Sequence, residues 1–349
     1  MRDSSAVRVA ILGASGYTGA ELVRLLARHP GAEICVLTAD RRAGGTLGGV
    51  FPHLAGLSLP DLVRLERVKW SNLEVVFCAL PHGTTQGVVA ALPHHLKVID
   101  LSADLRFADV ETYARWYGQA HKAPELQKEV VYGLPELARS AIRTARLVAC
   151  PGCYPTSVQL PLVPLLAAGL IATEGIIIDS KSGVSGAGRA VKGESLFCEV
   201  TEGLQAYSIA SHRHAPEIEQ GLSQAVGRPV IVTFTPHLVP MSRGILSTLY
   251  VRLIGQTSAD DLRAALVEHY AGAPFVRVVP AGVIPQTHHV RGSNFCLIGV
   301  FADRVPRQAI LCAVIDNLVK GAAGQAVQNF NLMTDQPETL GLEQQPLFP

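Results

Sequence analysis

Little in this 349-residue sequence is lopsided. Thirty Lys and Arg stand against twenty-nine Asp and Glu, a formal charge of +1, so no excess of one sign is there to gather phosphate backbones or anionic lipid. Neither nucleic acid nor a membrane is expected as a partner. Long apolar runs are missing too: the longest, Leu160 to Ala172, is interrupted by Pro161, Pro164 and Gly169, short of the roughly 18 residues that a spanning helix needs. The opening stretch runs into glycines and Tyr17 where a signal peptide would carry a small-residue cleavage site, and the cytoplasm is the expected compartment. Seven cysteines are few and odd in number, and only Cys150 and Cys153 lie close together, which argues against a disulfide framework and for reduced thiols. Internal repeats and low-complexity tracts are absent.

What is present is a globular balance, 48% hydrophobic and 17% charged, too apolar for a disordered chain. At about 150 residues per domain the length predicts two domains. The run Val7 to Leu12 is short and β-branched, glycines follow, and Ala20 to Arg28 places apolar residues at helical spacing. With the strand Glu33 to Thr38 this makes a βαβ unit. Further strands are expected at Val75 to Ala79, Lys97 to Leu101 and Arg146 to Cys150. The fold class expected is α/β, with a Rossmann-type doubly wound parallel sheet in the first half. Beyond Cys150 a helix, Thr156 to Ala168, precedes strands Gly175 to Asp179, Val230 to Pro236, Leu246 to Leu253, Phe275 to Val279 and Phe295 to Ala302. These predict an α+β second domain with a largely antiparallel sheet, one face of which could serve subunit contact. Residues Ala309 to Phe330 follow a helical pattern and return the chain to the first domain. The expected division is 1–152 plus 322–349 for nucleotide binding and 153–321 for catalysis and oligomerisation.

Gly13, Gly16 and Gly19 stand three apart, directly after a strand and opening a helix, the context a dinucleotide site requires. The spacing is G-x-x-G-x-x-G and so departs from G-x-G-x-x-G; a tight turn without a ligand is the alternative. Glycines let the backbone approach a pyrophosphate, the helix start offers N–H groups and a positive dipole end, and Ser15 and Thr18 can add hydroxyl donors. Thr38 to Arg42 (TADRR) falls where the adenosine ribose is read. An acid there favours NAD and an arginine accommodates a 2′-phosphate; both are present, and the adjacent arginines tilt the reading toward NADP.

Cys150-Pro151-Gly152-Cys153 lies between a strand and a helix start. A thiol at a helix N-terminus is biased toward the nucleophilic thiolate, and Cys153 is the candidate because Cys150 finishes the strand. The rival is a C-x-x-C dithiol of thioredoxin type, also placed at a helix start; a zinc site is weaker, since no second C-x-x-C exists. Ser211 to Glu217 (SHRHAPE) packs two imidazoles and a guanidinium before a helix expected to start at Pro216. Such an imidazole can hold a thiolate and then protonate an oxyanion; a polar helix cap is the alternative. Lys181 to Arg189 (KSGVSGAGR) reads as a flexible backbone-donor loop after a strand, and Arg106 comes just past another strand, where a guanidinium fork suits phosphate.

Taken together, GASGYTG (13–19), PHG (81–83), DLSADLR (100–106), YGLPE (132–136), PGCYPT (151–156), KSGVSGAGR (181–189), HRHAPE (212–217), FTPHLVPMSRG (234–244) and KGAAGQAVQN (320–329) resemble the N-acetyl-γ-glutamyl-phosphate reductases, arginine-biosynthesis relatives of aspartate-semialdehyde dehydrogenase. The likeness runs nearly the whole chain. Leu105 stands where phenylalanine is usual, Ala215 for threonine and Ser242 for asparagine. The resemblance implies Cys153 as nucleophile and His212 as acid/base, with His214 in reserve and on the substrate side. It implies NADP held by Gly13, Ser15, Gly16, Tyr17, Thr18 and Gly19 with Thr38 and Arg41, and Ser185, Gly186, Gly188 and Asn329 near the nicotinamide. Arg106 would meet the substrate phosphate and Arg243 the substrate; no metal is implied. The expected reaction reduces an acyl phosphate through a cysteine thioester. A sister reductase of aspartyl or carrier-bound aminoadipyl phosphate, or a dithiol redox protein, remains the alternative reading. A homodimer or homotetramer is the expected assembly.

Overall fold

The computed structural model describes residues 6–191 and 193–348, the side chain of Glu194 aside. The chain divides into two compact units, Met1–Pro151 with Ala322–Glu343, and Gly152–Gly321 with Gln344–Pro349. The closing residues, expected with the first unit, group with the second, where the Leu347 backbone N–H donates to the Arg291 carbonyl at 2.9 Å.

In the first unit seven strands form one sheet: β1 (Val7–Leu12), β2 (Ala32–Thr38), β3 (Leu62–Val63), β4 (Val75–Cys78), β5 (Lys97–Asp100), β6 (Val130–Tyr132) and β7 (Leu147–Ala149). Their order is β3-β2-β1-β4-β5-β7-β6, and every pair is parallel. Strands covered on both faces read as continuous apolar runs. Accordingly Val9 to Leu12 and Val75 to Cys78 are fully buried. The strand order reverses between β1 and β4, and the carboxyl ends of those two strands form the switch point at which such sheets bind ligands.

The second unit holds β8 (Ile177–Gly183), β9 (Gln205–Ala206), β10 (Thr233–Val239), β11 (Ile245–Arg252), β12 (Val276–Val278), β13 (Cys296–Ala302) and β14 (Gln308–Ile315), ordered β12-β13-β14-β11-β8-β10-β9. Only β8–β10 and β12–β13 pair in parallel; the rest are antiparallel. Here burial alternates along β8, β10, β11 and β14, the signature of a sheet with one covered face. Ile178, Leu249 and Leu311 lie on the buried side, where β11 and β14 meet the helix Cys153–Ala167.

Three sequence expectations are corrected. The first third of the expected helix Ala309 to Phe330 is strand β14; helix begins only with a π-turn at Val319–Ala323 and the helix Gly324–Met333. A short apolar run fits either period, and AILCAVI is settled by its antiparallel partners β11 and β13. Lys181, Ser182 and Gly183 belong to β8, so the loop starts later, as a 3₁₀ turn at Val184–Ala187. The helix expected from Thr156 starts at Cys153 itself.

That helix is unusual in carrying Pro161 and Pro164 inside it. An interior proline removes a donor to the carbonyl four residues back. For Pro164 the stranded acceptor is the Leu160 carbonyl, and the hydroxyl of buried Tyr270 donates to it instead.

Candidate active site

In the first unit the glycine loop follows β1. Gly13 has φ +80°, and a Cβ there would meet the Ala79 carbonyl oxygen at 2.4 Å, while one on Gly19 would strike Gly13 O and Ala14 Cα at 2.5 and 2.6 Å. Both glycines are thus demanded by the close approach of loop, helix and β4. Gly16, the N-cap of the helix Tyr17–Leu26, is different: its Cβ would meet nothing nearer than Gly13 O at 3.7 Å. The protein itself leaves room there, at the helix start where a pyrophosphate would lie. Thr38 is buried, its Oγ1 accepting from the Gly13 N–H at 3.1 Å and its carbonyl from the Ala14 N–H at 2.9 Å. It shapes the loop, while Arg41 and its neighbours Asp40 and Arg42 are exposed just beyond it. Asn329 is fully buried; its Nδ2 donates to the Gly133 carbonyl at 2.9 Å, and its Oδ1 has no hydrogen-bond partner among the described residues.

Arg106 is also buried, its Nε donating to the Cys150 carbonyl at 2.9 Å and one Nη to the Leu101 carbonyl at 3.1 Å. These bonds brace the exit of β7. Cys150 is 1% exposed, and burial pushes its thiol up to about 12, so it is a poor half for an exchanging dithiol. All seven cysteines are free, and no cluster of metal ligands occurs among the described residues.

In the second unit Cys153 is the first residue of its helix, partly accessible. Gly321 approaches it so closely that a Cβ on Gly321 would lie 2.7 Å from Cys153 Cβ. Beside the thiol stand Tyr154 and Tyr207, their hydroxyls 3.1 Å apart. Burial drives Tyr154 far above its ordinary range and Tyr207 up to about 12, so both remain neutral hydroxyls. Tyr207 carried no signal in the sequence.

His212 is ringed edge-on by Tyr154, Tyr207, His214 and Phe234, with centroids 4.8 to 5.6 Å away. Burial, and secondarily the adjacent Arg213 charge, lowers its pKa to about 4. The backbone N–H of His214 donates to His212 Nδ1 at 3.1 Å. A ring accepting at Nδ1 carries its proton on Nε2, so His212 is a neutral imidazole with an Nε2–H to offer. His214 opens the helix His214–Val226, two residues before the expected start.

Ser185, Gly186 and Gly188 line the 3₁₀ turn after β8, with Ser185 Oγ accepting from Asn317 Nδ2 at 3.0 Å. Asn317 Oδ1 in turn accepts from the Gly244 N–H at 2.8 Å. Arg243 stands beside buried Asp316, Nη1 to Oδ2 3.6 Å. Sequence reasoning missed Asn317 and Asp316, which carry no local pattern. Thus Cys153, His212, His214, Arg243 and the Ser185 turn share the second unit, while the glycine loop, Thr38, Arg41, Arg106 and Asn329 belong to the first.

Two family profiles match: "Semialdehyde dehydrogenase, NAD binding domain" over residues 8–145 and "Semialdehyde dehydrogenase, dimerisation domain" over 153–317. The N-acetyl-gamma-glutamyl-phosphate reductase of Rhodospirillum rubrum is 65% identical, covering 99% of this chain and 100% of that one. A probable chloroplastic N-acetyl-gamma-glutamyl-phosphate reductase of Oryza sativa is 56% identical, over 100% of this chain and 84% of that one. Among solved structures, aspartate semialdehyde dehydrogenase II from Vibrio cholerae superposes with a TM-score of 0.72 at 18% identity, covering 95% of this chain and 99% of that one. The NADP-bound aspartate semialdehyde dehydrogenase of Candida albicans gives 0.67 at 16%, over 95% and 99%. At those identities the likeness to solved structures is one of fold. Full-length identity above half is another matter, and the chain belongs to the N-acetyl-gamma-glutamyl-phosphate reductase family of semialdehyde dehydrogenases.

Proposed function

We propose that this enzyme reduces N-acetyl-γ-glutamyl phosphate to the corresponding semialdehyde with NADPH, releasing phosphate through a thioester on Cys153. The observation that carries the substrate is the full-length likeness to relatives of that name; the site chemistry supports the route. The Cys153 thiolate attacks the acyl carbon, the S–C bond forms, and the C–O bond to phosphate breaks, the departing phosphate taking up a proton from solvent. Covalent capture divides one displacement into two easier steps. The Nε2–H of His212 donates to the oxyanion that forms as the carbonyl is attacked, and does so without itself changing charge. The chemistry that NADPH would supply when bound is the hydride that reduces the thioester. The tetrahedral oxyanion left on Cys153 then re-forms its carbonyl, breaking the S–C bond and restoring the thiolate.

The residues fit the cofactor: Gly16 leaves space at a helix N-terminus, Arg41 is exposed where a 2′-phosphate would sit, and the buried Asn329 Oδ1 lacks a donor. Gly13, Ser15, Tyr17, Thr18 and Gly19 complete the pyrophosphate cradle, and Ser185, Gly186 and Gly188 the nicotinamide side. Arg106 and Arg243 take the anionic ends of the substrate, with His214 near Arg243's ligand. We place residues 1–151 with 322–343 as the nucleotide-binding domain, and a homodimer as the assembly, in line with the description of the profile over 153–317.

The test is the reverse reaction, phosphate-dependent NADPH formation from N-acetylglutamate semialdehyde, with aspartate semialdehyde as the competing substrate. Cys153→Ser is expected to abolish most turnover while NADP affinity stays near normal. Near-normal turnover of that variant, or activity confined to the aspartate compound, overturns the assignment.

A further inference from the structure

The nucleophile's helix begins at a residue that cannot cap it. Gly152 is the N-cap, extended at φ −64° and ψ 158°, and has no side chain to reach back. Its own N–H is satisfied from far along the chain, by Glu217 Oε1 at 2.7 Å. Glu217 is 1% exposed and sits one turn into the helix His214–Val226, whose first residue is one of the two active-site histidines. Its backbone carbonyl accepts from Gln159 Nε2 at 3.0 Å, and Gln159 lies on the nucleophile's helix. The two helices meet at Gly221, where a Cβ would strike the Gln159 amide at 2.6 to 2.7 Å. Glu217 therefore touches the Cys153 helix from both ends of its own residue, and does so from the helix that begins with the histidines.

We propose that Glu217 is a positioning residue for Cys153: by holding the Gly152 N–H it fixes the first turn of the nucleophile's helix, and it registers that turn against the segment bearing His212 and His214. This rests on the reading of Cys153 as the nucleophile. Thr156, whose N–H and hydroxyl both donate to the Gly152 carbonyl at 3.0 Å, secures the other side of the same peptide, so the direction of the Cys153 side chain depends on where Gly152 is held. The bond to Glu217 is buried, and a buried donor left without its partner is costly.

The experiment compares Glu217→Gln with Glu217→Leu in the full-length protein. Both remove the charge, and only glutamine can still accept from Gly152, so their difference reads the hydrogen bond alone. The first readout is the pH midpoint of Cys153 alkylation by iodoacetamide, followed by peptide mass spectrometry, which needs neither substrate nor cofactor. A slackened first turn weakens the helix's hold on the thiolate, and the E217L midpoint is expected to lie above that of E217Q, back toward the ordinary value of roughly 8.5. The second readout is kcat, expected to be at least about 100-fold lower in E217L than in E217Q, as for a misplacement near 1 Å, with KM for NADP alike in both. If E217L does not fold, Glu217→Asp keeps the charge and withdraws the carboxylate by one methylene; its midpoint is expected above, and its kcat below, the wild-type values. Coincident midpoints and kcat for E217Q and E217L, or a wild-type profile for E217D, overturn the proposal. Absence of reductase activity in the wild type would count against the substrate assignment and leave the alkylation comparison intact.

Discussion

Replacing Gly321 by alanine puts a methyl group in place of one hydrogen next to Cys153, the proposed nucleophile. That carbon would stand 2.7 Å from Cys153 Cβ and 3.2 Å from its Cα, roughly 1 Å inside the optimal separation of two carbons. Neither side can yield easily. The Gly321 N–H is fixed to the Asp316 carbonyl at 2.9 Å, and Asp316 Oδ1 accepts from the Leu318 and Val319 N–H groups at 2.8 and 3.1 Å, while Cys153 is held by the helix behind it. The strain is relieved by displacing the thiol, and a shift of about 1 Å at a reacting atom costs on the order of 100-fold in rate. Gly321 is not among the residues at positive φ, so backbone strain does not confuse the result. The assay is phosphate-dependent NADPH formation alongside NADP affinity by fluorescence titration. Turnover should fall about 100-fold with cofactor affinity within a factor of two or so. Turnover close to wild type would refute the claim that this glycine exists to admit Cys153.

Four further outcomes are expected. His212→Ala should lower kcat by about 10²- to 10³-fold, the worth of one oxyanion donor, and His212→Gln, which restores an N–H, should recover at least tenfold of that; equal loss in both would argue for proton transfer by the ring. Because the His212 pKa is lowered to about 4, wild-type kcat should show no histidine-like break near pH 6.5, which a pH profile checks directly. Tyr270→Phe strands the Leu160 carbonyl beneath Pro164 and should destabilise the second unit by about 1 to 3 kcal/mol, read as a lowered thermal midpoint. Asp100 is fully buried, and burial raises its pKa to about 7. A folded-state pKa raised above the unfolded one gives stability that is complete below about pH 4 and is lost as pH rises through about 7. Asp100→Asn should therefore flatten the fall in thermal midpoint across that window, and an unchanged slope would count against the shift.

Local pattern made the first unit legible, because parallel strands buried on both faces announce themselves as apolar runs ended by glycine. It served less well where partners decide the outcome. AILCAVI fits a buried helix or strand until β11 and β13 are known, and Lys181 to Gly183 looks like loop because its composition is polar, although its backbone pairs with β10 and β11. The site divides in the same way. Cys153, His212 and the glycine loop stand out by spacing, since the chemistry needs those residue types at adjoining positions. Tyr207, Asn317, Asp316 and the use of Glu217 as a cap depend on contacts between segments far apart in sequence, such as the 65 residues between Gly152 and Glu217. No window of ten or twenty residues contains that information.

The parallel pairing of β8 with β10 forbids a hairpin, so the chain must cross over between them. Along that one crossover, residues 184–232, lie the Ser185 turn, Tyr207, both histidines and Glu217. Closing a longer loop adds little entropic cost, about 0.6 kcal/mol per doubling of length. The part of the crossover between Gly188 and Gln205 can therefore be lengthened or trimmed at little entropic cost, while β8, β10 and the helix that carries Cys153 keep their places.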